Sequence, residues 1–184
     1  MIVIKENNRV YVADSVYHYT RSGLDEQMLV PENMPITKAK HSPTVIAGLE
    51  YQLDPLRYIH LPFPKELSHK ALADKIEPEI KDILHELGRD DEDGDIHTMA
   101  FAKGNKAFIV YAGKSIVEIA EEEAFGVFDD QYRYALSVTR GMPLAARLQA
   151  IYKAMGNILG ANMFPLMMMD TVGLKINIVE ENRQ

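Results

Sequence analysis

The order of strand-forming and helix-forming segments is the feature that most constrains how this chain folds. Two pairs of segments alternate apolar and polar residues on either side of a two-residue turn signal, as β-hairpins do. These pairs are 1–5 with 9–15 around Asn7-Asn8, and 97–103 with 106–111 around Gly104-Asn105. Two antiparallel hairpins that lie so far apart in the chain need helices to connect them and cover them.

A helical block lies between the two hairpins. Apolar residues recur at helical spacing from Leu67 to Leu87, and Gly88 is placed to end the block. Pro78 interrupts the pattern, which predicts two short helices or one kinked helix. A further helix is predicted near residues 49–56, directly after a buried strand at 45–48.

The rest of the chain repeats this order of strands and then helices. The predicted segments are strands at 115–119 and 124–128, helices at 129–139 and about 143–159, and strands at 164–169 and 174–179. Blocks of strands separated by blocks of helices indicate the α+β class, with helices packed on antiparallel sheets. No linker or internal repeat divides the 184 residues, so we expect a single domain, 1–184.

Composition excludes several classes of function. The net charge of −7 disfavours nucleic acid as a partner, because an acidic surface repels phosphates. The absence of cysteine excludes disulfides, thiolate metal sites and cysteine nucleophiles. The apolar runs are too short to span a bilayer, and no basic stretch precedes an apolar one at the start. We therefore expect a cytoplasmic protein without a membrane partner.

No motif for a metal or a cofactor is present. The acidic loop at 90–95 suggests calcium, but taking Gly94 as the turn glycine puts Arg89 and Ala100 at ligand positions. A solvated loop is the better interpretation. The six histidines lack the spacing of a zinc site, and there is neither a Gly-x-Ser-x-Gly turn nor a phosphate-binding loop. We predict no cofactor and no bound metal.

Several short segments together resemble the proteasome-like branch of the N-terminal-nucleophile hydrolases. In chain order they are Ile2-Val3-Ile4, Val10-Tyr11-Val12-Ala13-Asp14-Ser15, Lys38-Ala39-Lys40, Val45-Ile46-Ala47-Gly48, the hairpin from Ala100 to Tyr111, Ala124-Phe125-Gly126, Tyr134-Ala135-Leu136 with Gly141, and Met167-Met168-Met169-Asp170-Thr171-Val172-Gly173. The resemblance implies a four-layer αββα sandwich with two antiparallel sheets. It also implies assembly into a ring or stacked rings.

The same resemblance assigns positions of a catalytic site. In such enzymes the α-amino group of the first residue is the general base for that residue's own hydroxyl or thiol, and a nearby lysine keeps the field positive. The nucleophile position falls on Met1, the acidic residue after the hairpin on Asp14, and the lysine on Lys38 or Lys40. Asp130 stands where the family has a supporting serine.

The predicted function follows from what these positions lack. Neither Met1 nor Ile2 carries a nucleophilic oxygen, and we expect Met1 to be retained because Ile2 is bulky. The sequence therefore predicts a proteasome-like protein without hydrolytic activity that acts through self-assembly or binding of a partner protein. One alternative is an active peptidase or amidohydrolase produced by processing. The other is a monomeric binding protein on the same scaffold.

A methionine-rich segment allows two interpretations. Met163, Met167, Met168 and Met169 are suited to core packing, since methionine fills irregular gaps. If Met167 and Met169 face outward, they could instead form a contact between subunits.

Overall fold

The computed structural model describes residues 1–20, 23–28, 36–48, 58–86, 98–111, 114–126 and 128–182. The strands are β1 (Ile2–Glu6), β2 (Arg9–Ser15), β3 (Tyr17–Thr20), β4 (Gly23–Met28), β5 (Ile36–Lys38), β6 (Val45–Gly48), β7 (Thr98–Lys103), β8 (Lys106–Tyr111), β9 (Ser115–Glu118), β10 (Glu122–Ala124), β11 (Leu166–Asp170) and β12 (Asn177–Val179). The helices are α1 (His69–Lys75), α2 (Glu77–Glu86), α3 (Asp129–Val138) and α4 (Leu144–Leu159).

Two five-stranded antiparallel sheets form the centre of the structure, as predicted. The first sheet has the order β10-β1-β2-β11-β12, and the second has the order β5-β6-β7-β8-β9. Strands β3 and β4 form a separate two-stranded hairpin. Strands β2 and β11 of the first sheet contact β8 and β5 of the second, so the two sheets lie face to face.

Side-chain alternation divides each central strand between two apolar surfaces, since successive residues of a strand point to opposite faces. In β1, Val3 belongs to the core between the sheets, whereas Ile2 and Ile4 pack toward α3 and α4. In β7, Ala100 faces the first sheet and Phe101 faces α1 and α2. Every central strand is therefore covered on both faces.

Three separate hydrophobic cores result from this alternation. The inter-sheet core lies between the two sheets, the α1–α2 core covers the outer face of the second sheet, and the α3–α4 core covers the outer face of the first. Three cores require four layers, in the order helices, sheet, sheet, helices. The structure thus has the predicted αββα arrangement.

The turn residues behave as their chemistry predicts. Asn7 and Asn8, between β1 and β2, both have positive φ, which asparagine tolerates better than other non-glycine residues. Gly104, between β7 and β8, also has positive φ, and Gly160 adopts the left-handed conformation that ends α4. In the helical block, Pro78 lies in the first turn of α2, where its missing N–H costs no helical hydrogen bond.

Three predicted strands have wrong boundaries, of which the one predicted at 164–169 is β11 and runs from Leu166 to Asp170. The strand predicted at 124–128 is β10, which ends at Ala124, and Phe128 is already the residue before α3. Paired strands end where their partner ends, and β10 pairs only with Ile2 to Ile4 of β1. The last strand is also shorter than predicted and begins at Asn177.

The outward-facing interpretation of the methionines is wrong as well. Met167 is fully buried and Met169 is 3% exposed, and both belong to the inter-sheet core. Strand β11 is flanked by β2 and β12 and faces the second sheet, so its apolar residues have no solvent-facing side. The predicted helix at 49–56, Gly88 and the acidic loop at 90–95 lie outside the described residues. No helix in the described part of the chain is long and apolar enough to cross a membrane.

Candidate active site at the first strand

Met1 lies at the end of the first sheet and points into the inter-sheet core. Its residue is 3% exposed, and its side chain packs with the apolar residues of both sheets. Its α-amino group donates to the carbonyl of Phe125 at 3.2 Å, and the Phe125 N–H donates to the Met1 carbonyl at 3.1 Å. These two bonds extend the antiparallel ladder of β1 and β10 by one residue, because Ile2 is paired with Ala124.

Asp14 lies directly across from Met1 on β2. Ile2 is paired with Ala13, so the same register places Asp14 opposite the first residue. An oxygen of the Asp14 carboxylate, Oδ1, is 3.7 Å from the Met1 nitrogen and also accepts a hydrogen bond from the Ser15 N–H at 2.9 Å. The Asp14 side chain is 16% exposed. The Asp14 carboxylate and the Met1 ammonium, two positions that the resemblance assigns to the site, therefore form an ion pair at the edge of the core.

Tyr152 supports this part of β2 from the other face of the sheet. It is fully buried in α4, and its hydroxyl donates to the Ala13 carbonyl at 2.7 Å. Burial raises the pKa of Tyr152 well above its usual range, with further contributions from the Asp14 carboxylate and Tyr132. The phenol therefore stays neutral and acts as a hydrogen-bond donor that fixes the residue before Asp14.

The two candidate lysines, Lys38 and Lys40, differ in their position relative to β5. Lys38 is paired with Val45, and both Val45 and Ile36 belong to the inter-sheet core, so alternation puts Lys38 on the same face. Lys40 follows the strand, and its N–H donates to the Ile59 carbonyl at 2.8 Å. Both lysine side chains are exposed, and within the described ranges neither forms an ion pair with Asp14.

Comparison with solved structures returns a consistent set of matches. BPH from Thiobacillus denitrificans, solved in complex with epoxomicin, superposes with a TM-score of 0.71 at 14% identity over 92% of this chain and 96% of that one. Anbu (ancestral beta-subunit) from Yersinia bercovieri gives 0.65 at 11% identity over 98% and 87%. Anbu from Pseudomonas aeruginosa, solved as a helical assembly, gives 0.64 at 11% identity over 99% and 87%.

These matches identify the architecture. The chain has the proteasome-like N-terminal-nucleophile hydrolase fold. At identities this low, structural similarity establishes only the fold, and the activity must be argued from the site. No protein-family model matches the sequence, and the search of curated proteins finds no match.

Asp130 lies apart from Met1 and Asp14 in this proteasome-like fold. It is in the first turn of α3, its side chain is 88% exposed, and it contacts Arg133 at 3.3 Å. Arg133 is held more closely by Glu123, at 2.7 Å. The structure gives Asp130 no contact with either Met1 or Asp14, so of the predicted positions only those two are brought together directly.

The chemistry available at Met1 is limited by its atoms. Nucleophilic catalysis of this type needs an oxygen or a thiol sulfur next to the α-amino group, and methionine carries a thioether. The Met1 ammonium instead contacts the Phe125 carbonyl and the Asp14 carboxylate. Such partners are typical of a buried charge with a structural role. Over the ranges described, no group of three or more histidine, aspartate or glutamate side chains could hold a metal ion.

Sequence reasoning did not find two residues of this region. Tyr152 carried a signal, because it follows Leu148 and Ile151 and precedes Met155 on one apolar face of a helix. A tyrosine on such a face needs a buried acceptor for its hydroxyl. Phe125 carried no signal, since its role depends on the backbone groups that it presents to Met1.

Proposed function

We propose that this protein is a proteasome-like subunit that does not hydrolyse peptide bonds and functions by assembling with copies of itself. The observation that carries the first half of the proposal is the burial of the Met1 side chain in the inter-sheet core. The position that the resemblance assigns to the nucleophile is filled by a packed apolar group. A side chain in that role contributes to stability and has no atom with which to attack a substrate.

The loss of hydrolysis is tested by reaction with an active-site probe. Epoxomicin, which binds BPH, is incubated with the purified protein and with BPH in parallel, and intact masses are recorded. We expect the mass of BPH to increase by that of the bound probe and the mass of this protein to remain unchanged. A mature chain that starts with threonine or serine would contradict the proposal, as would an epoxomicin adduct that disappears when one residue is replaced.

Support for self-assembly comes from the comparison and from the surface. The Anbu complex of Pseudomonas aeruginosa forms a helical assembly on a similar fold. On α3 of this protein, Tyr134 and Val138 are 70% and 62% exposed and lie one helical turn apart, and Met142 follows at 40%. Apolar side chains grouped in this way on a surface are typical of protein contacts.

A charge placed in this group should weaken assembly. We expect Val138→Glu to shift the protein toward monomer by about tenfold in the association constant or more, because a carboxylate in an apolar contact must be desolvated without a partner. Val117→Glu is the matched control, since Val117 is 44% exposed on β9 of the second sheet. Mass photometry of the two variants and the wild type measures the distribution of oligomers.

Two results of that measurement would contradict self-assembly through α3. One is a wild-type protein that is monomeric at micromolar concentration. The other is a set of oligomers that Val138→Glu and Val117→Glu change equally. A monomer that binds one defined partner protein would instead support the alternative of a binding protein on this scaffold.

A further inference from the structure

A second polar cluster lies on the opposite face of the second sheet from Met1. Its centre is Lys103, at the end of β7, where alternation with Phe101 directs the side chain toward the α1–α2 side. The Lys103 ammonium donates to the Pro64 carbonyl at 2.8 Å and to the Ser42 hydroxyl at 3.2 Å. Among the described residues, its third N–H has no acceptor.

Among the residues that the structure describes, no carboxylate forms an ion pair with this ammonium. Burial lowers the pKa of Lys103, and no acidic side chain contributes a compensating effect. Glu66, two residues past Pro64, is exposed and forms no ion pair with Lys103. Lys103 thus differs from Arg133, Arg140 and Arg147, which all have carboxylate partners.

The hydroxyl network next to Lys103 ends in a second donor. Ser42 Oγ is 2.8 Å from Thr44 Oγ1, and Thr44 is fully buried. Either hydroxyl can be the donor of this bond, and we infer that Thr44 donates, because among the described residues its buried hydroxyl has no other acceptor. Ser42 then accepts from both Lys103 and Thr44, which leaves its own hydrogen to donate outward from a half-buried position.

Two imidazoles lie close to each other on the two loops next to this cluster. His41 precedes Ser42, and its ring centre is 6.0 Å from that of His60, with both residues exposed. The hydrogen bond from the Lys40 N–H to the Ile59 carbonyl holds the two loops together. Within the described ranges the cluster therefore combines hydrogen-bond donors with one ammonium group and contains no carboxylate.

We propose that Lys103 and Ser42 bind an oxyanion, a phosphate or carboxylate group of a ligand, with His41 and His60 at the rim of the site. One oxygen of such a group accepts the third N–H of Lys103, and another accepts the Ser42 hydroxyl hydrogen. Charge-assisted hydrogen bonds of this kind are among the stronger polar contacts in proteins. The site is separate from the one at Met1, so it does not depend on whether the protein hydrolyses anything.

Isothermal titration calorimetry with the full-length protein tests the proposal. Sodium phosphate and sodium acetate are titrated separately, each against a sodium chloride background of matched ionic strength. We expect saturable heat with phosphate or with both anions. Phosphate alone assigns the site to phosphoryl groups, and both anions assign it to oxyanions in general.

Three variants locate the binding. Lys103→Met keeps the apolar stem of the side chain and should weaken phosphate binding by about tenfold or more, and Ser42→Ala by about two- to tenfold. Lys153→Met, which removes an exposed lysine from α4 in the opposite helical layer, should leave binding unchanged. Thermal melting without phosphate confirms that each variant is folded, and Ser42→Ala keeps the test valid if Lys103→Met does not fold.

The proposal is overturned if neither anion produces more heat than chloride. It is also overturned if the Lys103→Met and Lys153→Met proteins bind phosphate equally, because the binding would then reflect general surface charge.

Discussion

Replacing Arg147 with methionine will lower the free energy of unfolding by about 3 kcal/mol, at the low end for removing one partner of a buried ion pair. The Arg147 side chain on α4 is 7% exposed and that of Glu122 on β10 is 12% exposed, and they are joined at 2.6 Å. Arg147 also donates to the Leu136 carbonyl at 2.7 Å and to the Thr139 hydroxyl at 3.2 Å. One side chain thus connects β10, α3 and α4.

The low end of the range applies because Glu122 keeps a second partner. Arg140 donates to the other oxygen of the same carboxylate at 2.9 Å, so Glu122 is not left as an uncompensated charge. The methylene groups of methionine also fill part of the space of the arginine stem. The substitution removes the hydrogen bond from Arg147 to the Leu136 carbonyl and the buried ion pair between Arg147 and Glu122.

Urea unfolding at a fixed protein concentration measures this effect, because assembly makes apparent stability depend on concentration. Arg140→Met is the matched control. It removes an arginine from the same carboxylate, but that side chain is 63% exposed, so we expect a much smaller change. Equal destabilisation by the two variants would show that burial does not determine the strength of this network.

Local patterns predicted the α+β class and the two hairpins, and the family resemblance supplied the four layers. Asn7, Asn8 and Gly104 occupy turn positions whose backbone conformation few other residues adopt, and alternation around them defines two hairpins. The limits of β10 and β12 were missed, since a short edge strand ends where its partner ends and no residue marks that point. The β3–β4 hairpin was missed for lack of a turn signal of the Asn-Gly kind.

The positions of the candidate site residues depend on how the strands are paired. Asp14 was assigned from the family resemblance, and the pairing of Ile2 with Ala13 in the structure places it opposite Met1. Lys38 could not be separated from Lys40 in the sequence, because the choice depends on which residue is paired with Val45. The proposed oxyanion site combines Ser42, Lys103 and the loop before α1. These segments are far apart in the chain, so no local sequence motif predicts the site.

Asp14→Asn will destabilise the protein by about 2 kcal/mol, because the buried Met1 ammonium loses its counter-charge while keeping the Phe125 carbonyl. Asparagine has nearly the same shape, so the packing of β2 should be retained. If the protein is non-hydrolytic, as we propose, the substitution changes stability alone. This separates a structural ion pair from a catalytic one, in which the same change would lower turnover at nearly constant stability.

Chemical denaturation of Asp14→Asn and of Asp82→Asn makes the comparison. Asp82 is exposed on α2, and its replacement removes the same charge without touching a buried ammonium, so we expect a change within about 0.5 kcal/mol. Peptide and amide hydrolysis are assayed in parallel with the wild type. If the wild type hydrolyses a substrate and Asp14→Asn abolishes that activity without altering stability, the carboxylate serves catalysis. That result would contradict the proposal of a non-hydrolytic subunit, because the Asp14 carboxylate would then have a role other than holding the first strand in place.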